Sequence, residues 1–208
     1  MRTKVLVSLT AAAASVLIVA GCSNDSADSP MDGQSMSSSS STPMSSTRAT
    51  ASAQFNDADV MFAQMMYPHH AQAVQMAEMA QGRTDNPDVL ALAAEIDAAQ
   101  QPEMDQMTAW LAEWGQPAPT ADMGAMSGMN HSSGSGMMTQ QDMDALMASS
   151  GPEFDRQWLT MMIAHHTGAI EMANTEISGG SNPDAQEMAR TIVTSQQQEI
   201  ETMQGLLG

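Results

Sequence analysis

Basic residues are scarce in this chain, and their scarcity removes one class of partner at once. Only 6 Lys+Arg stand against 24 Asp+Glu, a formal net charge of −18, whereas a nucleic-acid binder needs a basic face to displace phosphate counterions. No nucleic-acid partner is expected. Aromatic residues are nearly as sparse, with 3 Phe, 3 Trp and 1 Tyr, so any core must be filled by other side chains. Cysteine occurs once, which excludes an internal disulfide. The one long apolar run, residues 5–20, is short for a membrane span, which needs about 20 apolar residues. What the chain has in excess is methionine, 23 of 208 residues.

The apolar run follows Arg2 and Lys4 and turns abruptly polar at Ser23, the pattern of a cleaved secretory signal. Its end, Val19-Ala20-Gly21-Cys22, resembles the lipobox of bacterial lipoproteins. That resemblance implies a signal peptide over residues 1–21, lipid modification of Cys22, and an exported protein anchored to the outer face of a membrane. Loss of residues 1–21 removes two basic residues and no acid, which takes the net charge from −18 to −20. Residues 22–54 are rich in Ser, Thr, Ala and Asp without a sustained hydrophobic period, and read as a flexible tether.

The remainder, residues 55–208, contains a duplication. Residues 55–111 match residues 151–207 at a constant offset of 96. Asp59, Met65, Met66, His69, His70, Ala73, Met76 and Ala77 recur as Asp155, Met161, Met162, His165, His166, Ala169, Met172 and Ala173. Asn86-Pro87-Asp88 recurs as Asn182-Pro183-Asp184, and Gln100, Glu103 and Met107 recur as Gln196, Glu199 and Met203. Each unit reads as a helical hairpin. Helices near 57–81 and 154–177 carry a 3.6-residue apolar period and stop at Gly82 and Gly179-Gly180. The second helices begin at Asn caps followed by Pro, whose missing N–H costs nothing in the first turn. Pro68 and Pro102 fall inside helices and are expected to kink them. Four helices of about 25 residues, each about 37 Å long, make an all-α four-helix bundle with a long Met/Gly-rich crossover at residues 112–150. Within the crossover, Thr139 is expected to cap a short helix that runs to Ala148, with Met143, Leu146 and Met147 on one side.

At 100° per residue, the stripe centred on His69 gathers Phe62, Met65, Met66, Ala73 and Met76, and the stripe centred on His165 gathers the equivalent set. This projection puts His70 and His166 at the rim, beside Asp59 and Asp155. Glu103 and Glu199 fall among apolar residues, where an ionisable group is costly unless it has a partner. Counted outward from the turns, Glu103 and Gln100 face the Met65–His69 level, and Glu199 and Gln196 face Met161 and His165. Met at i with His at i+4 presents thioether and imidazole on one turn, a donor set that suits Cu(I), tolerates Cu(II) and suits Mg or Ca poorly. Thioethers also suit an exported protein, in which thiols oxidise.

Met65, Met66, His69, His70, Met161, Met162, His165 and His166 are therefore the candidate metal ligands. Glu103, Glu199, Asp59, Asp155, Gln100 and Gln196 are candidate oxygen ligands or orienting groups. Met123, Met126, Met129 and His131 lie in a Gly-rich stretch with no packing role and form a candidate auxiliary metal segment. Met76, Met107, Met172 and Met203 read as core filler.

The pattern Asp-x-x-[Phe/Trp]-x-x-x-Met-x-x-His-His followed by Ala-[Val/Ile]-x-Met-Ala, at Asp59 to Ala77 and Asp155 to Ala173, resembles the bacterial domain-of-unknown-function family 305 (DUF305). That family is related to CopM-like copper-binding proteins and placed among ferritin-like bundles. The resemblance implies an extracytoplasmic helical lipoprotein that binds copper or silver through Met and His and serves copper tolerance, with no established catalysis and no organic cofactor. The copies differ at Tyr67-Pro68 against Ile163-Ala164 and at Gln75 against Glu171, differences expected to give two sites of unequal affinity. Two other readings stand beside it. A carboxylate-bridged ferritin-like metalloenzyme wants Glu-x-x-His on its helices, and no Glu precedes any of the five histidines by three residues. A metal-free module would grip a protein partner through its Met-rich surface. A homodimer and a copper-handling protein are the partner classes left open.

Overall fold

A computed structural model describes residues 54–120 and 136–208. Five helices follow in order: α1 (Asp57–Ala80), α2 (Pro87–Glu113), α3 (Gln140–Ala148), α4 (Gly151–Gly179) and α5 (Pro183–Leu207). No strand occurs among the described residues, and none of their helices is long and apolar enough to cross a membrane. The local causes are the expected ones for the hairpins. Asn86 accepts the N–H of Asp88, and Asn182 accepts those of Asp184 and Ala185, each ahead of a first-turn proline. Gly82, at φ 77°, takes the left-handed conformation that ends α1. Helices α1 and α2 run through Pro68 and Pro102 as continuous elements.

Two expectations need correction. Helix α4 starts at Gly151, three residues before the expected 154, because Pro152 stands in its first turn and favours helix initiation there. In α3, capped by Thr139 through a reciprocal bond with Asp142, Met143 and Leu146 are buried but Met147 is exposed. The short helix presents only one narrow stripe to the bundle.

Helices α1 and α2 pack as one antiparallel hairpin, α4 and α5 as the other, and the hairpins meet mainly along α1 and α4. These two helices are antiparallel. Asn56 Nδ2 donates to the Gly179 carbonyl at 2.9 Å, at the start of α1 and the end of α4. At the opposite end, Gly151 N–H donates to the Arg83 carbonyl at 2.7 Å. Between them, the Trp158 indole N–H donates to the Met76 carbonyl at 2.8 Å.

The core consists of two apolar blocks. One combines Met76, Val89, Leu92 and Ile96 of the first hairpin with Phe154, Trp158, Met162 and Met203 of the second. The other combines Phe62, Met66, Met107, Trp110 and Leu111 with Ala169, Ala173, Ala189 and Ile192. Each block thus takes the turn-proximal half of one hairpin and the turn-distal half of the other. Between the blocks, near mid-helix, lies a layer of buried polar side chains.

Candidate metal centre

The polar layer is built from the duplicated motif. His69, His70, His165 and His166 are all fully or almost fully buried, and Gln100 and Gln196 are 3% exposed. His69 of α1 and His165 of α4 meet across the hairpin interface, with ring centroids 3.7 Å apart and planes inclined at 40°. His166 stands 6.3 Å from His165, centroid to centroid. Met66 and Met162, one turn before His70 and His166, are fully buried, Met161 is 9% exposed and Met65 is half-buried.

His70 and His166 do not sit at the rim as projected. Each ring is wholly buried and directed at its own hairpin partner: His70 Nε2 lies 2.7 Å from Glu103 Oε2, and His166 Nε2 lies 2.6 Å from Glu199 Oε2. The projection assumed one buried face per helix, whereas α1 packs on both α2 and α4 and buries a wider arc. His69 faces the sister helix and His70 the hairpin partner. Glu103 was also expected level with Met65, one turn further from the hairpin turn than His69. Side chains lean towards the N-terminus of their own helix. In an antiparallel pair, a residue of α1 therefore leans away from the turn and a residue of α2 leans towards it. His70, nearer the turn, consequently meets Glu103, further from it.

Glu103 and Glu199 are not core residues either. Their side chains are 18% and 17% exposed, so each carboxylate bridges a buried imidazole and solvent. A carboxylate at Nε2 fixes the ring and selects the tautomer with hydrogen on that nitrogen, leaving the Nδ1 lone pair for another partner. Nδ1 of His70 and of His166 is buried and makes no hydrogen bond among the described residues. Among the described residues, neither ring nitrogen of His165, neither amide atom of Gln100, nor Oε1 of Gln196 finds a hydrogen bond of good geometry. Buried polar atoms are normally satisfied, and these concentrate in one layer.

The layer also holds the His165 imidazole neutral. Burial, followed by the repulsion of His69, His166 and His70, holds His165 well below the ordinary histidine range. A neutral ring keeps the lone pair that a metal needs. Among the described residues, no three His, Cys, Asp or Glu side chains converge as a ready ligand set. A soft cation here would therefore draw on thioether sulfur as well as imidazole, and Met66 and Met162 lie one turn from the oriented rings.

Asp59 and Asp155 do not belong to this layer. Asp59 is ten residues, about 15 Å of helix, from His69. It accepts backbone N–H groups from Asn56, Ser181 and Asn182. Asp155 Oδ2 accepts from Asn86 Nδ2 at 3.3 Å. Both aspartates tie one hairpin's first helix to the other hairpin's turn. The candidate auxiliary residues Met123, Met126, Met129 and His131, and the lipidation candidate Cys22, lie outside the described residues.

Sequence reasoning passed over two polar groups. Gln72 clamps the end of the crossover by donating to the Met138 carbonyl at 2.9 Å and accepting its N–H at 2.7 Å. Glu176 is 1% exposed at the end of α4. It continues the stripe through His165, Ala169 and Met172, so the criterion that singled out Glu103 would have found it. Gln72 carries no such signal.

The family model for a domain of unknown function, DUF305, matches residues 59–207. A DUF305 fragment from Deinococcus radiodurans is 34% identical, with a TM-score of 0.65 over 74% of this chain and 97% of that one. CopM in its Cu(II)-bound form is 32% identical, with a TM-score of 0.61 over 72% of this chain and 95% of that one. CopM in its Cu(I)-bound form is 30% identical, with a TM-score of 0.59 over 71% of this chain and 94% of that one. No curated protein sequence matches the chain.

Proposed function

Because this chain belongs to the DUF305 family, which has a copper-bound member of similar fold, we propose that it is an exported, lipid-anchored protein that binds Cu(I) and buffers or hands it over outside the cytoplasm. The likeness to copper-bound and silver-bound CopM structures supports a metal-binding role. The observation that carries the reading to this chain's own residues is the duplicated carboxylate-to-imidazole pair. Glu103 and Glu199 each hold one buried imidazole by Nε2 and leave Nδ1 without a hydrogen-bond partner among the described residues. Buried thioethers stand one turn away.

Copper is cargo in this reading. Met66, His70, Met162 and His166 would hold it, with Met65, His69, Met161 and His165 completing the soft donor set and Gln100 and Gln196 facing the layer. Thioether with neutral imidazole favours Cu(I) over harder cations. In this reading the role is binding rather than catalysis. The lipobox-like Cys22 and the Ser-rich residues 22–54 support attachment to the outer face of a membrane.

The test is an anaerobic titration of the purified protein with Cu(I) against a competing chelator, together with X-ray absorption. The expected result is binding of micromolar affinity or tighter, with both sulfur and nitrogen scatterers. Replacement of His69, His70, His165 and His166 by Ala should abolish it. Unchanged binding in that variant refutes the assignment.

A further inference from the structure

The hairpins are joined at one end by a pair of acids, neither of which forms an ion pair with a Lys, Arg or His among the described residues. Asp59, fully buried in the first turn of α1, accepts the N–H of Ser181 at 3.1 Å, the Ser181 hydroxyl at 3.1 Å and the N–H of Asn182 at 2.9 Å. These donors all belong to the α4–α5 connection, so Asp59 reaches across the hairpin interface. Glu176, in the last turns of α4, faces it, and neither Glu176 oxygen meets an N–H or O–H from any other described group. The backbone wraps closely over the pair. A β-carbon at Gly180 would overlap Glu176 Oε1 and come within 2.8 Å of Asp59 Oδ1.

We propose that Asp59 and Glu176 form a proton-sharing latch that holds the two hairpins together at this end of the bundle and loosens as the pH rises past neutrality. Two adjacent buried carboxyls cannot both ionise without strong repulsion. Burial opposes ionisation of Asp59, but hydrogen bonds from Asn182, Asn56, Glu176 and Ser181 outweigh it and hold the group below its ordinary value. Burial, followed by the hydrogen bond to Asp59 and the Asp59 charge, pushes Glu176 up to about 8. The proton therefore resides on Glu176 and is donated to Asp59.

The surroundings offer no substitute for that proton. Asp57 on α1, Glu113 on α2, Glu171 on α4 and Asp184 on α5 are exposed acids, and Arg190 of α5 is paired with exposed Glu187. The duplication isolates the device. At offset 96 the counterpart of Asp59 is Asp155, which binds Asn86, while the counterpart of Glu176 is Ala80. Only one end of the bundle carries the latch, and it lies apart from the imidazole layer, so it does not depend on the metal reading.

The sign follows from linkage. The folded state keeps a proton on Glu176 that the unfolded chain has lost above its ordinary value of 4.5. Stability should therefore fall as pH rises from 4.5 to about 8 and then level off. For the purified protein, the unfolding constant is expected to rise up to about tenfold per pH unit across that window. In Glu176→Gln the amide donates to Asp59 at every pH, and this slope should flatten. A wild-type profile without the slope, or an identical slope in Glu176→Gln, overturns the latch. Should the variant fail to fold, carbon-13 NMR titration of the Glu176 carboxyl in the wild-type protein decides. A midpoint near 8 supports the proposal, and one in the ordinary carboxylate range overturns it.

Discussion

Replacing Glu103 by Ala separates what the imidazole layer contributes to the fold from what it contributes to metal binding. His70 is fully buried and Glu103 Oε2 is its Nε2 partner at 2.7 Å. Truncation leaves a buried imidazole N–H without an acceptor, a loss of about 1–3 kcal/mol when water cannot reach the group. The Glu103 side chain is 18% exposed, so water can enter its place, and the low end, about 1 kcal/mol, applies. For a domain of this size that lowers the unfolding midpoint by about 2–4 °C. If the carboxylate orients Nδ1 towards a metal, the same change should also weaken Cu(I) binding by about 10–100-fold, or about 1.4–2.7 kcal/mol. Glu103→Gln supplies the control, because the amide oxygen can still accept from Nε2. It should leave the apo midpoint close to wild type while losing the part of the affinity that depends on charge. Glu199→Ala, acting on His166 at 2.6 Å, should repeat the result in the second hairpin. The assay is thermal unfolding without metal alongside anaerobic chelator competition. The orienting role is refuted if both Ala variants lose apo stability while their Cu(I) affinity stays within about twofold of wild type.

Two further outcomes test how the hairpins and the crossover are held. Trp158→Phe removes the 2.8 Å bond to the Met76 carbonyl and part of a fully buried side chain; it should cost about 1–3 kcal/mol in denaturant unfolding, and a wild-type midpoint would show that this contact between α1 and α4 adds nothing. Gly136, at φ 70°, lies so close to α4 that a β-carbon would overlap the Ala164 carbonyl, so Gly136→Ala should lift the end of the crossover and raise the exchange rate of the Met138 amide held by Gln72.

Much of this architecture could be read directly from residue order. The Asn-Pro pairs place the starts of α2 and α5, Gly82 ends α1, and the constant offset of 96 establishes that two hairpins build the bundle. The start of α4 was less legible: the apolar period opens near residue 154, whereas Pro152 in the first turn starts the helix at Gly151. The four histidines were legible because a polar pair repeated on two apolar stripes needs a reason. Which histidine faces which helix was not legible, since a helical projection fixes angles but not how many neighbours the helix has. Asp59 and Asp155 were misplaced for a related reason. A helical projection groups them with His70 and His166, but only the antiparallel pairing of α1 with α4 reveals that they reach the opposite turn.

The division of the core into two blocks bears on how such a chain arose. Each block needs side chains from both hairpins, so one hairpin by itself would leave the face that its sister covers open to water. A single-copy ancestor would have been stable only as a symmetric pair of identical hairpins, meeting where His69 now meets His165. Joining two such hairpins in one chain makes their association independent of concentration and lets each half differ from the other. The residues that now differ between the halves, Glu176 against Ala80 and Gln72 against Gly168, are the kind of change that strict two-fold symmetry would have forced onto both ends at once.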